Sequence, residues 1–240
     1  MVWNSLENQV ANEFESLDSD GKLKFMKQKE TKRAYTGAAN LIWDKMSADP
    51  ILPFIDDKYL YGQFAYDKQG KFYSQTTIRS ALYIREMEKY FPLKEIKWVT
   101  DFGPGYGGFA RIWCELYKDT STYQLIDLPR LHQISQYYLK QYDVPAQWAT
   151  LDEHQEPDDK SLFIATHSLN EVDLDVRIKV EKILPKYDYI YIVYNKMIDQ
   201  INNMVYFEQL GDKLKETHHI YMYFEKSTSK WRLVATCRKL

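Results

Sequence analysis

From Ile96 onward the chain alternates short β-branched and aromatic runs with amphipathic segments, and this alternation admits few folds. The runs are IKWVTDF, TYQLID, AQWAT, SLFIAT, YDYIYIVY, HHIYMYF and WRLVATC. Strands joined through helical segments run parallel, because a crossover long enough to hold a helix returns the chain to the same end of the sheet. Helical spacing marks the first two crossovers. Phe109, Ile112, Trp113, Leu116 and Tyr117 share one face, as do Leu131, Ile134, Tyr138, Leu139 and Tyr142 behind Pro129 at a first-turn position. Only a short polar stretch around Ser227-Thr228-Ser229 separates the last two runs, so they pair as an antiparallel hairpin. The expected class is α/β, with a seven-stranded, mostly parallel sheet ending in that hairpin.

Residues 1–95 have a different texture. Leu6, Val10, Phe14 and Leu17 recur at helical spacing until Asp18-Ser19-Asp20-Gly21. A second helical stretch runs over 23–46 and breaks at Asp49-Pro50 and Pro53. The polar, aromatic connection YLYGQFAYDKQGKFYSQ follows, with turns expected at Gly62 and Gly70. A third helix, expected over 76–90, carries Ile78, Ala81, Leu82 and Arg85 on one side before Pro92. The predicted division is a helical extension and lid over 1–95 and an α/β core over 96–240, a length that one large core can serve. Lys and Arg number 32 against 34 Asp and Glu, a net charge of −2 that lacks the basic excess needed to hold a nucleic acid. No apolar run nears the ~18 residues of a membrane span, and MVWNSLENQV lacks the basic and apolar regions of a secretory signal. A cytoplasmic protein without membrane or nucleic-acid partners is expected. Cys114 and Cys237 offer neither a disulfide framework nor a zinc cluster.

Asp101-Phe102-Gly103-Pro104-Gly105-Tyr106-Gly107-Gly108 sits where the first β run ends and the first sheet helix begins. Glycines let a backbone turn sharply and approach a ligand closely, and the next helix aims its unpaired N–H groups at the same place. Asp127 closes the second run, nineteen residues after Gly108, where a carboxylate can accept hydrogen bonds from both hydroxyls of a ribose. Loop and acid together make a nucleoside-binding device. Gly103, Gly105 and Gly108 satisfy G-x-G-x-x-G, so a nicotinamide dinucleotide fits the glycines alone. Asp101 favours another ligand: a carboxylate two residues before the first glycine opposes a pyrophosphate and suits a cofactor with a cationic amino-acid end.

DFGPGYGG followed by LIDLP resembles the first two motifs of class I S-adenosylmethionine-dependent methyltransferases. More narrowly, VTDFGPGYGGFARIW, YQLIDLPRLHQISQYYL and ATHSLNEV are similar to runs in proteins classed as bacterial sugar O-methyltransferases of polysaccharide loci. The likeness covers residues 60–237 and is strongest over 97–140. It implies a Rossmann-like methyltransferase core, with S-adenosylmethionine as cofactor and S-adenosylhomocysteine as product. It implies that Asp101 lies near the amino-acid end of the cofactor, that Asp127 holds the ribose and that Asp152 of ATLDEH meets the adenine amino group. Gly103, Gly105, Tyr106, Gly107, Leu128 and Thr166 complete the implied cofactor set. By itself, Asp152 reads equally as a solvated loop acid beside Glu153 and His154.

A doubly wound sheet binds its ligand across the carboxyl ends of its strands, so Thr166-His167-Ser168-Leu169-Asn170-Glu171, after the fourth run, faces the transferred methyl group. Sugar hydroxyls do not ionise at neutral pH, and their attack on a sulfonium methyl gains from a base within hydrogen-bond reach. His167 is the first candidate, in which case turnover follows the imidazole's titration. Glu171 is the second, taking the proton itself or orienting the imidazole. The structural alternatives are a cofactor-packing or capping role for His167, and a first-turn acid favoured by the helix dipole for Glu171. Metal-dependent O-methyltransferases cluster carboxylates at the end of the fourth strand. Here that strand ends in Ala165-Thr166-His167, and Asp173 and Asp175 read as a solvated helix face, so no metal is expected. Asn195, ending the fifth run, faces substrate or caps the next segment. His218 and His219 alternate faces and read as structural. The connection before the core resembles the corresponding stretch of the sugar family, which implies that Tyr73, Ser74, Arg79 and Tyr83 reach over cofactor or substrate. The family's Gly-x-Pro is Gly62-Gln63-Phe64 here.

These residues are read as an S-adenosylmethionine-dependent O-methyltransferase acting on a hydroxyl of a sugar or sugar-containing metabolite. The partners it allows are a small-molecule or glycan acceptor and a homo-oligomer. The alternatives are a methyltransferase for another small-molecule acceptor and a non-catalytic cofactor-binding subunit that keeps the loop and Asp127. A nicotinamide oxidoreductase is third.

Overall fold

The computed structural model describes residues 42, 44–55, 64–68, 71–198 and 201–238. The helix expected over 6–17, most of the one over 23–46, and the turns at Gly62 and Gly70 lie outside the described residues. Ile42 and residues 44–46 are helical, and the chain leaves the helix ahead of Asp49-Pro50 as expected. The aromatic connection contains a hairpin that sequence spacing did not predict, with β1 (Phe64–Lys68) antiparallel to β2 (Lys71–Ser74). Ser74 then starts α1 (Gln75–Met87): its buried Oγ accepts the Thr77 N–H at 3.0 Å, satisfying one of the donors that a helix start leaves open.

The core follows as β3 (Trp98–Phe102), α2 (Gly108–Leu116), β4 (Thr122–Ile126), α3 (Pro129–Lys140), β5 (Gln147–Ala149), β6 (Ser161–Thr166), α4 (Leu174–Ile183) and β7 (Tyr189–Tyr194). A short hairpin of β8 (Met197–Ile198) and β9 (Ile201–Asn202) leads into α5 (Asn203–Leu214), β10 (His218–Glu225) and β11 (Lys230–Cys237). All seven expected runs join one sheet in the order β10-β11-β7-β6-β3-β4-β5. Only β11 opposes its neighbours, pairing antiparallel with both β10 and β7. Helix α5 was not singled out from sequence. Its apolar positions Phe207, Leu210 and Leu214 are helically spaced, but Gly211 interrupts them. That glycine has a tertiary reason, since a Cβ there would stand 3.2 Å from the Met222 sulfur of β10.

The central strands β3, β4, β6 and β7 are buried on both faces, which is why they read as continuous apolar runs, whereas β10 and β5 at the edges are partly exposed. Along β7, Tyr189, Tyr191 and Val193 join one core with Ile84, Ile112, Trp113 and Leu139 from α1, α2 and α3. Ile190, Ile192 and Tyr194 face a second core with Val180, Phe207 and Leu210 from α4 and α5. Each fully buried side chain of this size contributes roughly 1.5–3 kcal/mol. No described helix is long and apolar enough to cross a membrane. The topology also fixes where a ligand can enter. Because β3 pairs with β4 on one side and β6 on the other, successive connections leave it in opposite directions, and a crevice opens at the carboxyl ends of β3 and β6.

Candidate functional site

The glycine loop forms one wall of that crevice. The Gly103 N–H donates to the Ile126 carbonyl at 2.8 Å and the Gly107 N–H to the Pro104 carbonyl at 3.0 Å, which folds the loop back over β4. Gly105 and Gly107 adopt φ of +58° and +88°, in the left-handed region that side chains disfavour. They differ in what surrounds them. A Cβ on Gly105 would meet nothing within 4 Å, whereas one on Gly107 would stand 3.0 Å from the Leu139 Cγ of α3. Gly107 thus serves the packing of the loop against α3, and Gly105 borders open space. Tyr106 lies edge-on to Tyr138, with ring centroids 4.8 Å apart.

Two buried carboxylates lie beneath the loop. Asp127 follows β4 and is 5% exposed; its Oδ1 accepts the Leu128 N–H at 2.8 Å, while its buried Oδ2 has no partner among the described residues. Burial pushes its pKa up to about 7 against the pull of the Leu128 and Gly105 N–H groups. Asp101, 1% exposed, accepts the Tyr123 hydroxyl at 3.1 Å. Its pKa is also pushed up to about 7, first by burial and further by the charge of Asp127. Tyr123 does not neutralise it.

The opposite wall is the turn after β6. His167 has φ of +78°, a strained backbone for a non-glycine residue, which persists only where its surroundings over-determine it. Its N–H donates to the Val193 carbonyl at 2.9 Å, and its Nε2 shares a 3.0 Å hydrogen bond with the Tyr83 hydroxyl of α1. The next residue, Ser168, donates its hydroxyl to the Phe102 carbonyl at the end of β3, tying the two lips of the crevice together. Burial first, then the charges of Arg79, Lys230 and Arg232, push the His167 pKa down to about 3. Burial and these three cations favour the neutral ring, which weighs against the expected rise of turnover with imidazole titration. Glu171 moves the opposite way, its pKa raised by burial with partial relief from Lys230.

The other sequence-predicted residues divide. Thr166 ends β6 at the crevice, and Leu128 precedes the first turn of α3. Asn195, just after β7, has its N–H bonded to the Asn170 Oδ1 at 2.8 Å and its own Oδ1 bonded to the Lys230 Nζ. Arg79 is half-buried one helical turn before Tyr83. Tyr73 and Ser74 are buried, and the Ser74 hydroxyl is engaged in capping α1. Asp152 is exposed on a 3-10 turn, ion-paired at 2.8 Å with Lys179. His218 is buried between the Thr217 hydroxyl and the Tyr187 carbonyl. Among the described residues, no three His, Cys, Asp or Glu side chains gather where they could hold a metal. Lys230 was not anticipated. It begins a strand directly after a turn, where a lysine is ordinarily solvated, and only the pairing of β11 with β7 carries it to the crevice.

No protein-family model matches the chain, and no curated protein matches it in sequence. Solved structures match in shape. One is a protein classed as an O-methyltransferase from Nostoc punctiforme PCC 73102, at TM-score 0.54 and 9% identity, covering 67% of this chain. This chain spans 56% of that protein. Another is magnesium protoporphyrin IX methyltransferase from Synechocystis PCC 6803 with bound S-adenosylhomocysteine, at TM-score 0.51 and 12% identity, covering 68% of this chain and 83% of that one. At these identities the likeness is one of fold, and the fold is the Rossmann-like methyltransferase sheet.

Proposed function

We propose that the chain is an S-adenosylmethionine-dependent O-methyltransferase acting on a hydroxyl of a sugar or sugar-containing metabolite. The observation that carries this reading is the pair of buried carboxylates at the switch point of the sheet. Among the described residues neither Asp101 nor Asp127 is in an ion pair, they repel each other, and Asp127 keeps a buried acceptor atom without a donor. Ribose hydroxyls would satisfy that acceptor, and a cationic amino-acid end would relieve the repulsion, whereas a pyrophosphate would aggravate it. The cofactor fits these residues, and a solved structure of the same fold holds S-adenosylhomocysteine. The sugar acceptor is supported by the resemblance of the runs around Gly105, Asp127 and His167.

When bound, S-adenosylmethionine supplies an activated methyl group. Asp127 would hold the nucleoside beside the open side of Gly105, and Asp101 would attract the cationic end. Glu171 takes the proton of the acceptor hydroxyl, because burial brings its proton affinity closer to neutrality. His167, neutral and held by Tyr83, orients that hydroxyl and helps keep water out. Calorimetry of the full chain with S-adenosylhomocysteine and with NAD tests the cofactor. Binding of the former in clear preference is expected, and equal or tighter NAD binding sinks the reading. For the base, Glu171→Gln is expected to lower turnover about 10²–10⁴-fold with cofactor affinity changed less than about tenfold. Turnover at saturating cofactor retained within a few-fold, whatever the change in cofactor affinity, would remove Glu171 from that role.

A further inference from the structure

The wall of the crevice formed by α1 and β11 is cationic. Arg79 and Tyr83 lie one turn apart on α1, and Tyr83 reaches His167. From the other side Lys230 opens β11 and donates to Asn195, whose N–H is fixed by Asn170. Both Arg79 and Lys230 are half-buried. Neither lies within 4.0 Å of a carboxylate among the described residues, and Arg79 has no hydrogen-bond partner among them. The two cations act on each other and on the same imidazole: after burial, Arg79 is the largest influence depressing the Lys230 pKa and the first of the charges acting on His167. The third cation at this wall, Arg232, is already matched. It pairs with Glu86 at 2.7 Å and stacks over the Tyr83 ring with its Cζ 4.9 Å from the centroid.

Two partly desolvated cations without a carboxylate in contact repel each other, and an anion seated between them would relieve that repulsion. A guanidinium and an ammonium that converge without a carboxylate form a receptor for a planar or tetrahedral oxyanion. We infer that the acceptor carries an anionic group, a carboxylate or a phosphate, seated between Arg79 and Lys230 so that its hydroxyl faces Glu171. Among the described residues Glu171 is the one acid acting on Lys230, and its charge would repel an anion placed nearer to it; the anion therefore lies on the Arg79 side, leaving Glu171 to the hydroxyl. This inference rests on the methyltransferase reading for the word acceptor, while the cationic wall stands without it.

Titration of the full chain, with and without S-adenosylhomocysteine, by D-glucuronate, D-glucose 6-phosphate, inorganic phosphate and D-glucose tests the inference. At least one anionic sugar is expected to bind at least about tenfold more tightly than glucose, with glucuronate leading for a carboxylate site and glucose 6-phosphate for a phosphate site. Arg79→Gln and Lys230→Gln should each weaken that binding about tenfold or more while S-adenosylhomocysteine affinity stays within a few-fold and the thermal midpoint shows the variants folded. Glucose binding as tightly as the anions, no anion binding at all, or anion affinity unmoved in both variants would overturn it. Failure to bind S-adenosylhomocysteine would instead strike the methyltransferase reading, and the titrations without it would still decide whether the wall receives an anion.

Discussion

Asp101 and Asp127 are held in the folded protein at a cost, since both have pKa values raised from the ordinary aspartate range to about 7 by burial. The folded chain therefore binds more protons than the unfolded chain between about pH 4 and pH 7. The contribution of Asp101 and Asp127 to the stability of the ligand-free protein is full below the unfolded values near 4 and is lost as pH rises through about 7. Cofactor binding should run the other way. Ribose hydroxyls and a cationic end prefer ionised carboxylates, so S-adenosylhomocysteine affinity is expected to rise with pH through about 7, and calorimetry at pH 5.5, 7 and 8.5 checks this. Asp127→Ala should weaken binding by about 1.5–3 kcal/mol, flatten that pH dependence and leave the fold intact. Binding indifferent both to pH and to this substitution would mean that the ribose lies elsewhere.

At the scale of elements, the loop between β3 and α2 shows two uses of one residue type. Gly107→Ala places a methyl 3.0 Å from Leu139 on a left-handed backbone, so it should destabilise the fold by about 1–3 kcal/mol in denaturant titration. Gly105→Ala meets open space and carries only the backbone term, about 1 kcal/mol, but its methyl intrudes where a ligand approaches, so cofactor affinity should fall more than stability. The reverse ranking would exchange their roles. What was legible in sequence follows the same division. The central strands were legible because burial on both faces writes continuous apolar runs, and the loop and Asp127 because their chemistry is local to a strand end. The small hairpin of β1 and β2 was not, being short, nor was the weakened basicity of His167, caused first by burial and then by charges that arrive from α1 and β11, far away along the chain. Lys230 belongs to the same class of residue: its place in the crevice is a product of sheet order, which no spacing along the chain expresses.

At the scale of the whole molecule, the segment preceding the core is joined to the far side of the sheet by a buried charge network. Glu86 of α1, 2% exposed, receives Arg232 of β11, 0% exposed, at 2.7 Å, and the Tyr191 hydroxyl of β7 at 2.5 Å, while Arg232 also donates to the Thr228 hydroxyl at 2.9 Å. Because the same Arg232 stacks on Tyr83, and Tyr83 holds His167, the network sets the distance between α1 and the crevice. In WRLVATC and in the apolar face of α1 these two residues look like interruptions, and only their meeting across the sheet makes them compatible with burial. Removing one partner leaves the other as an uncompensated buried charge, so Arg232→Met should cost about 3–5 kcal/mol in chemical unfolding. Replacing the network as a unit, with Glu86→Leu, Tyr191→Phe and Arg232→Met together, removes both charges and the Tyr191 hydroxyl, leaves the Thr228 hydroxyl its bond to the Glu225 carbonyl, and should recover most of that loss, to within about 1–2 kcal/mol of the native chain. A triple variant as unstable as the single one would show that the network acts through shape at the junction of α1, β7 and β11 and not through the pairing of its charges.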